Sequence, residues 1–321
     1  MSLGGNKVGR RHELIGDAGT VHRGAFDARI PAVLTVESGD TVIVTTLSGT
    51  DLPDEKSGFM VSAQHRNVLA HVPEGLGAHF MTGPIAVAGA MPGDELVIEI
   101  LAMELAQDWG WNAIRPGKGT LPDDFPQGRV IHIGIDRARG LVKMPWGLEL
   151  KAQPFFGVIG VAPRPEDGPQ TSIIPRAFGG NIDNKNLGAG AILHLPVFNP
   201  GGLLSVGDGH ALQGDGEVCL TAVETGLRGT LRVSVRKSTG LARPWAETPS
   251  HWITMSFDED LDRATQDALR EMIKLIAARG GLSAADAYTL CSVAADVHVT
   301  QLVNVNKGAH VMLAKSLLPA R

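Results

Sequence analysis

The chain has 321 residues, 43% of them hydrophobic and 20% charged, with a formal net charge of −5, which suits one large globular domain or two closely joined ones. No Lys/Arg cluster accompanies that charge, so the electrostatic footprint of a nucleic-acid binder is missing. No stretch reaches the roughly 18 uninterrupted apolar residues of a membrane helix. The polar start, Met1 to Arg11, reads as neither a leader nor an anchor, and two distant cysteines, Cys219 and Cys291, make no disulfide framework, so a cytoplasmic protein is expected.

Aromatic residues are only 5%, while Gly numbers 40 and Pro 19. Turns are therefore many, and the core must be built from Val, Ile, Leu and Ala. From about Ile30 to Arg236, short apolar runs are bounded by Gly, Pro, Asp or Asn, which is strand punctuation. In chain order the runs are 32–36, 41–45, 85–87, 95–101, 130–135, 158–161, 191–195, 217–223 and 229–235. After about Trp252 the character changes. Asp258 can cap a helix whose apolar face is Leu261, Ala264, Ala268, Leu269, Met272, Ile273 and Ile276, ending at Gly280-Gly281. Ser283 with Asp286 forms a capping box for a second helix to about Ala295, followed by an alternating strand from Val297 to Val303. The expectation is a mainly β (α+β) protein. A packed β-sandwich or small-barrel body over residues 1–250, of two interleaved β parts, is completed by a helix-helix-strand segment over 251–321.

Polar chemistry concentrates in Gly179-Gly180-Asn181-Ile182-Asp183-Asn184-Lys185 and in Gly207-Asp208-Gly209-His210 through Glu217. Glycines on both sides of Asp208 and Asp215 let the backbone aim several short side chains at one point. Asp208 and His210 project to the same side of an extended segment and supply donors that a divalent ion accepts. Solvent-facing turns use the same residue types. His79, on a Gly-rich approach to a strand, is a second candidate as ligand or base, beside the plain reading as a satisfied structural histidine. Nucleophile motifs are poor. No Gly-x-Ser-x-Gly elbow occurs, Ser234-x-x-Lys237 runs off the end of a strand rather than along a helix, and Cys219 and Cys291 read as small buried hydrophobes.

Seven ordered blocks resemble the acetamidase/formamidase family: 79–85, 89–94, 108–111, 156–163, 179–183, 207–217 and 292–296. The resemblance implies packed β-sheets, a cytoplasmic homo-oligomer, and hydrolysis of formamide, acetamide or a related small amide, a γ-lactam included. It also implies a metal-dependent site, with zinc the expected ion and calcium allowed. Carried over position by position, the site residues are His79, Asn181, Asp183, Asp208, His210 and Glu217. Asp208 and His210, with Asp183 or His79, are expected to hold the ion, Glu217 to shuttle a proton, and Asn181 to donate to the oxyanion. The chain departs from the family pattern at His22, which no tryptophan soon follows, and at Gly77-Ala78-His79, which has an extra residue, implying an altered pocket. The competing readings are the same reaction through a Cys or Ser nucleophile, and a non-catalytic metal- or sugar-binding β-sandwich.

Overall fold

In the computed structural model, which describes residues 9–318, the chain folds as a mainly β protein with helices near its C-terminal end. The stretch Met1 to Val8 of the polar start lies outside the described residues. A nine-stranded sheet has the order Arg11–Leu14, Asp40–Thr45, Leu227–Arg236, Glu95–Leu105, Ile192–Pro196, Trp245–Glu247, His251–Asp258, Lys307–Ala314, Ala295–Gln301. A second sheet runs Glu149–Lys151, Leu141–Lys143, Arg129–Asp136, Trp109–Ile114, Val223–Glu224, Leu204–Leu212, Phe155–Gly160, Gly179–Asn181. It branches at Leu204–Leu212 to the strand Phe80–Val87, which also pairs Val21–Arg23 and Leu34–Val36.

Period-2 patterning sets which side of each strand is buried. Along Leu227–Arg236, residues Leu227, Leu231 and Val233 point inward. Between them Arg228 and Arg232 stand opposite Glu104 and Glu99 on the neighbouring strand and pair with them at 3.3 and 2.7 Å, the cross-strand charge pairing expected of an outer face. The strand Phe155–Gly160 is buried at every position, because the sheets share one core. Val42, Ile98 and Leu231 of the first sheet join Met81, Val158 and Val206 of the second in a single apolar cluster. No barrel closes among the described residues.

The helices are α1 (Ala63–His71), α2 (Leu261–Gly280) and α3 (Ala284–Ala294). In α2 the buried residues Ala264, Ala268, Met272 and Ile276 recur every fourth position, the stripe an amphipathic helix lays on a sheet. Gly281 closes it in the left-handed conformation. Ser283 caps α3 by accepting from the Asp286 backbone N–H. None of the described helices is long and apolar enough to cross a membrane.

Local differences from the sequence reading have physical causes. The cap of α2 is Asp260, whose side chain takes the Asp262 and Arg263 N–H groups, while Asp258 instead accepts from the Asp260 N–H. The final strand of the tail's sheet edge spans Ala295–Gln301, two residues earlier than expected. Of the run 217–223, only Val223 lies in a strand, Val223–Glu224, and the rest is a turn. Glu217 has φ 45° and Leu220 φ 104°, values a pleated strand excludes, and turn bonds join Glu217 N to Gly214 O and Leu220 N to Glu217 O. Cys219 therefore lies half-buried in a turn, with Asn112 Nδ2 at 3.3 Å from its sulfur.

Candidate active site

The strand Leu204–Leu212 carries Asp208 and His210 through the middle of the second sheet. Asp208 has φ 52°, a left-handed excursion of the kind that persists only where surrounding structure enforces it. His210 is fully buried, with the Phe155 ring edge-on at 5.0 Å. Pairing of Val223–Glu224 with this strand sets Glu224 directly opposite His210. Asp183 follows the strand Gly179–Asn181 and Glu217 sits in the turn beyond Leu212, both at positive φ.

These elements converge. His210 Nε2 lies 3.1 Å from Glu224 Oε2 and 3.3 Å from Asp208 Oδ2, and Asp183 Oδ1 lies 3.9 Å from His210 Nδ1. His79 reaches Asp208 at 3.8 Å through Nε2, while its Nδ1 contacts Ser172 Oγ at 2.9 Å. Asn181 is buried beside them, its Nδ2 donating to Ile173 O at 3.4 Å. Of the residues singled out by sequence, Asp183, Asp208, His210 and Glu217 thus meet in one cluster, with His79 and Asn181 at its border.

Four residues the sequence reading missed complete the arrangement. Glu224 adds a buried carboxylate, whose Oε1 accepts from the Ala222 N–H at 2.8 Å. Gln213 donates from Nε2 to Asp183 O and turns Oε1 to His210 Nδ1, both at 2.8 Å. Gln213 Oε1 can accept only from a protonated Nδ1, so Nε2 is the nitrogen that a cation would bind on displacing its proton, with the outer support a metal-binding histidine needs. Asn304 donates to Asp183 Oδ2 at 2.5 Å and to Asn181 O at 3.2 Å. Gly157 is the fourth: a Cβ there would lie 2.7 Å from His210 Cε1 and 2.8 Å from Asp208 Oδ2, and would also collide with Asp183 Oδ1. Only a residue without a side chain leaves that cradle open.

Asp183, Asp208, Glu217 and Glu224 bring four carboxylates around one imidazole. Buried charge of this kind must be neutralised by protons or by a cation. Burial pushes Glu217 well above the usual carboxylate range, and the Asp183 charge adds to it. Burial likewise raises Glu224 to about 8 against the opposing charge of His210, and raises Asp183. Burial opposes ionisation of Asp208 too, but the His79 and His210 charges outweigh it and hold that carboxyl below its ordinary value. For His210, burial favours the neutral ring while Glu224 and Asp208 favour the charged one and prevail.

The donor set fits a divalent ion. Ligand atoms of Asp183, Asp208 and His210 lie within 4.8 Å of one another, as do those of His210, Glu217 and Glu224. Asp183 Oδ1, His210 Nε2 and Glu217 Oε2 are buried without a hydrogen-bond partner among the described residues, and buried polar atoms are seldom left so. Mixed carboxylate and imidazole donors suit zinc. Above the cluster opens a cavity of about 420 Å³ whose floor presents His79, Asn181, Asp208, Glu217, Glu224 and Asn304.

Fold and site together define a protein of two large sheets with an acid-rich histidine centre, able to hold a metal ion, beneath a cavity. The chain belongs to the Acetamidase/Formamidase family, which matches residues 12–170 and 166–317. It is 32% identical to a solved acetamidase of Bacillus halodurans, covering 95% of this chain and 98% of that one with a TM-score of 0.82. It is 29% identical to the acetamidase of Yersinia enterocolitica, with 99% and 96% covered and a TM-score of 0.85. Among curated relatives, the formamidase of Methylophilus methylotrophus is 30% identical over 195 residues, 44% of this chain and 47% of that protein. The matches span 47% to 62% of the length of the curated relatives.

Proposed function

We propose that the chain hydrolyses the carbon–nitrogen bond of an amide in the cavity above the acid–histidine centre, releasing ammonia from linear primary amides. One observation carries the reading: buried carboxylate and imidazole atoms without partners converge on one point under a cavity wide enough for a substrate. Relatives bearing the names formamidase and acetamidase support the same reaction.

In this proposal Asp208, His210 and Asp183 hold a divalent ion, zinc by the nature of the donors, with Glu224 beside them. Such an ion supplies positive charge that lowers the pKa of water toward about 7. Glu217, on the cavity floor with a proton affinity raised by burial, takes a proton from the attacking water and gives it to the leaving nitrogen. Asn181 faces the same space and offers its amide N–H to the developing oxyanion, a contact typically worth about 3 kcal/mol. His79, fixed by Ser172, holds Asp208 in its ionised form. The neighbours Leu220 and Thr221 line the cavity but Cys219 does not, which favours activated water over a cysteine nucleophile. A cytoplasmic homo-oligomer belongs to the same proposal.

The test combines metal analysis with ammonia release. Purified enzyme should contain close to one equivalent of a divalent metal per chain and lose turnover on chelation. Full activity in metal-free protein would refute the metal role, and no ammonia from any amide would favour a binding protein instead.

A further inference from the structure

The cavity is larger and more apolar than a two-carbon amide requires. At the roughly 30 Å³ that one water occupies in the liquid, its volume of about 420 Å³ corresponds to some fourteen waters. Acetamide, with four heavy atoms, displaces only about four. Cavities of roughly 300 Å³ and more ordinarily enclose ring-sized ligands.

The wall above the carboxylate floor is made by Leu47, Phe80, Trp111, Ile173, Leu220 and Val305. Two of these are held there against backbone preference: Leu220 has φ 104° and the β-branched Val305 has φ 66°, conformations that persist only where the surroundings impose them. The Val305 loop is braced by Gln301, whose Oε1 takes the Val303 and Asn304 N–H groups and whose Nε2 donates to Asn306 O. Trp111 is pinned through its indole N–H to Ser48 O. Val305 and Ile173 nevertheless remain 50% and 37% exposed, apolar surface that an occupant would cover. Charge on this wall is partly quenched, since Arg115 makes two bonds of 2.6 Å to the Asp51 carboxylate. Lys118 stands exposed at the rim.

We infer that the preferred substrate is an amide carrying a neutral, bulky apolar acyl group of arylalkyl size, rather than formamide or acetamide. The inference rests on the amidase proposal for the reaction and on the wall for the choice of substrate. Covering the wall removes apolar surface from water and favours the larger acyl group, and differences of one or two apolar groups in such a pocket are worth tenfold to a few hundredfold.

The experiment measures kcat/KM for ammonia release from formamide, acetamide, isobutyramide and phenylacetamide, together with the melting temperature of the metal-loaded enzyme in each amide at equal concentration. The expected result is a kcat/KM for phenylacetamide at least tenfold above acetamide, and a larger melting shift with phenylacetamide. Leu220→Gly removes one wall side chain at a position whose φ suits glycine, so the fold should be kept while the phenylacetamide-to-acetamide ratio falls several-fold. Acetamide or formamide as the best substrate overturns the inference and leaves the amidase proposal standing. If no amide releases ammonia, the amidase proposal fails and the melting shifts decide: a phenylacetamide-selective shift supports the apolar pocket, and equal shifts overturn it.

Discussion

Replacing Glu217 by Gln separates catalysis from stability, because the two should move in opposite directions. Glu217 is 6% exposed with Oε2 unpartnered, and its ligand atom lies within 4.8 Å of those of His210 and Glu224. At that separation, with an effective dielectric constant of about 20, two carboxylate charges repel by about 3.5 kcal/mol. That repulsion helps keep Glu217 protonated in the fold, and Gln keeps the shape while being neutral without taking up a proton. The sign follows from linkage. A carboxyl whose folded proton affinity is raised stays neutral in the fold while the unfolded chain ionises, so stability falls as pH rises above the unfolded value. Metal-free Glu217→Gln should therefore melt several degrees above metal-free wild type at pH 8, and nearly with it at pH 4. Turnover of the metal-loaded variant should fall by roughly 10²–10⁴-fold, the usual scale of a lost acid–base group, or about 2.7–5.5 kcal/mol of barrier. Metal content, melting curves at both pH values and ammonia release on the same preparation read all of this. Normal turnover in folded variant refutes the proton-shuttle role, and joint loss of metal and activity, recovered by excess metal, makes Glu217 a ligand instead.

Gly157→Ala places a methyl group against His210 Cε1 at 2.7 Å and Asp208 Oδ2 at 2.8 Å; turnover should drop by about 10²-fold or more, as for other displacements of reacting groups near 1 Å, with metal content falling alongside, and unchanged metal and rate would show that the cradle tolerates a side chain. Cys219→Ser should retain most activity, since Cys219 does not line the cavity; a loss of about 10³-fold with the fold intact would indicate covalent catalysis. Acid stability should depend on Glu247: burial opposes its ionisation, but His194 and Lys315, the latter 2.6 Å away, outweigh burial and hold it at about 2. The stability it contributes is fully present above the ordinary glutamate value and is lost as pH falls from about 4.5 toward 2, so denaturant melts at pH 6 and pH 3 should differ less in Glu247→Gln than in wild type.

The strands and tail helices were legible because their signals are local. Period-2 runs such as Leu227–Arg236 and the four-residue spacing of Ala264, Ala268, Met272 and Ile276 declare their buried faces without reference to the rest of the chain. The capping box at Ser283 is equally local. Asp208 and His210 were legible as a pair because alternation places them on one side of a strand. Glu224 was not, because its role depends on pairing across the sheet to His210. Its one sequence signal is a lone carboxylate inside the run Ala222-Val223-Glu224-Thr225-Gly226. The positive φ of Glu217, Leu220 and Val305 carries no residue signature, and so all but the last residue of the strand expected over 217–223 was in fact the turn that presents Glu217.

The C-terminal segment is joined to the chemistry rather than merely appended to the body. Lys307–Ala314 and Ala295–Gln301 extend the nine-stranded sheet, and the loop between them supplies both Asn304, which fixes Asp183, and Val305, which walls the cavity. Gly216, next to Glu217, forms a bridge with Gln301, and Asn186 Nδ2 contacts His310 Nε2 at 3.2 Å. The turn holding the candidate proton shuttle is thus bonded to one of these paired strands and the loop holding a candidate ligand to the other. A change in how the loop holding Asn304 and Val305 sits would move Asp183 and the apolar wall together, which on the proposed roles couples the candidate metal-binding carboxylate to the size of acyl group admitted. On the proposed roles, substrate choice and metal geometry therefore depend on one shared set of side-chain and backbone contacts around the loop between these two strands.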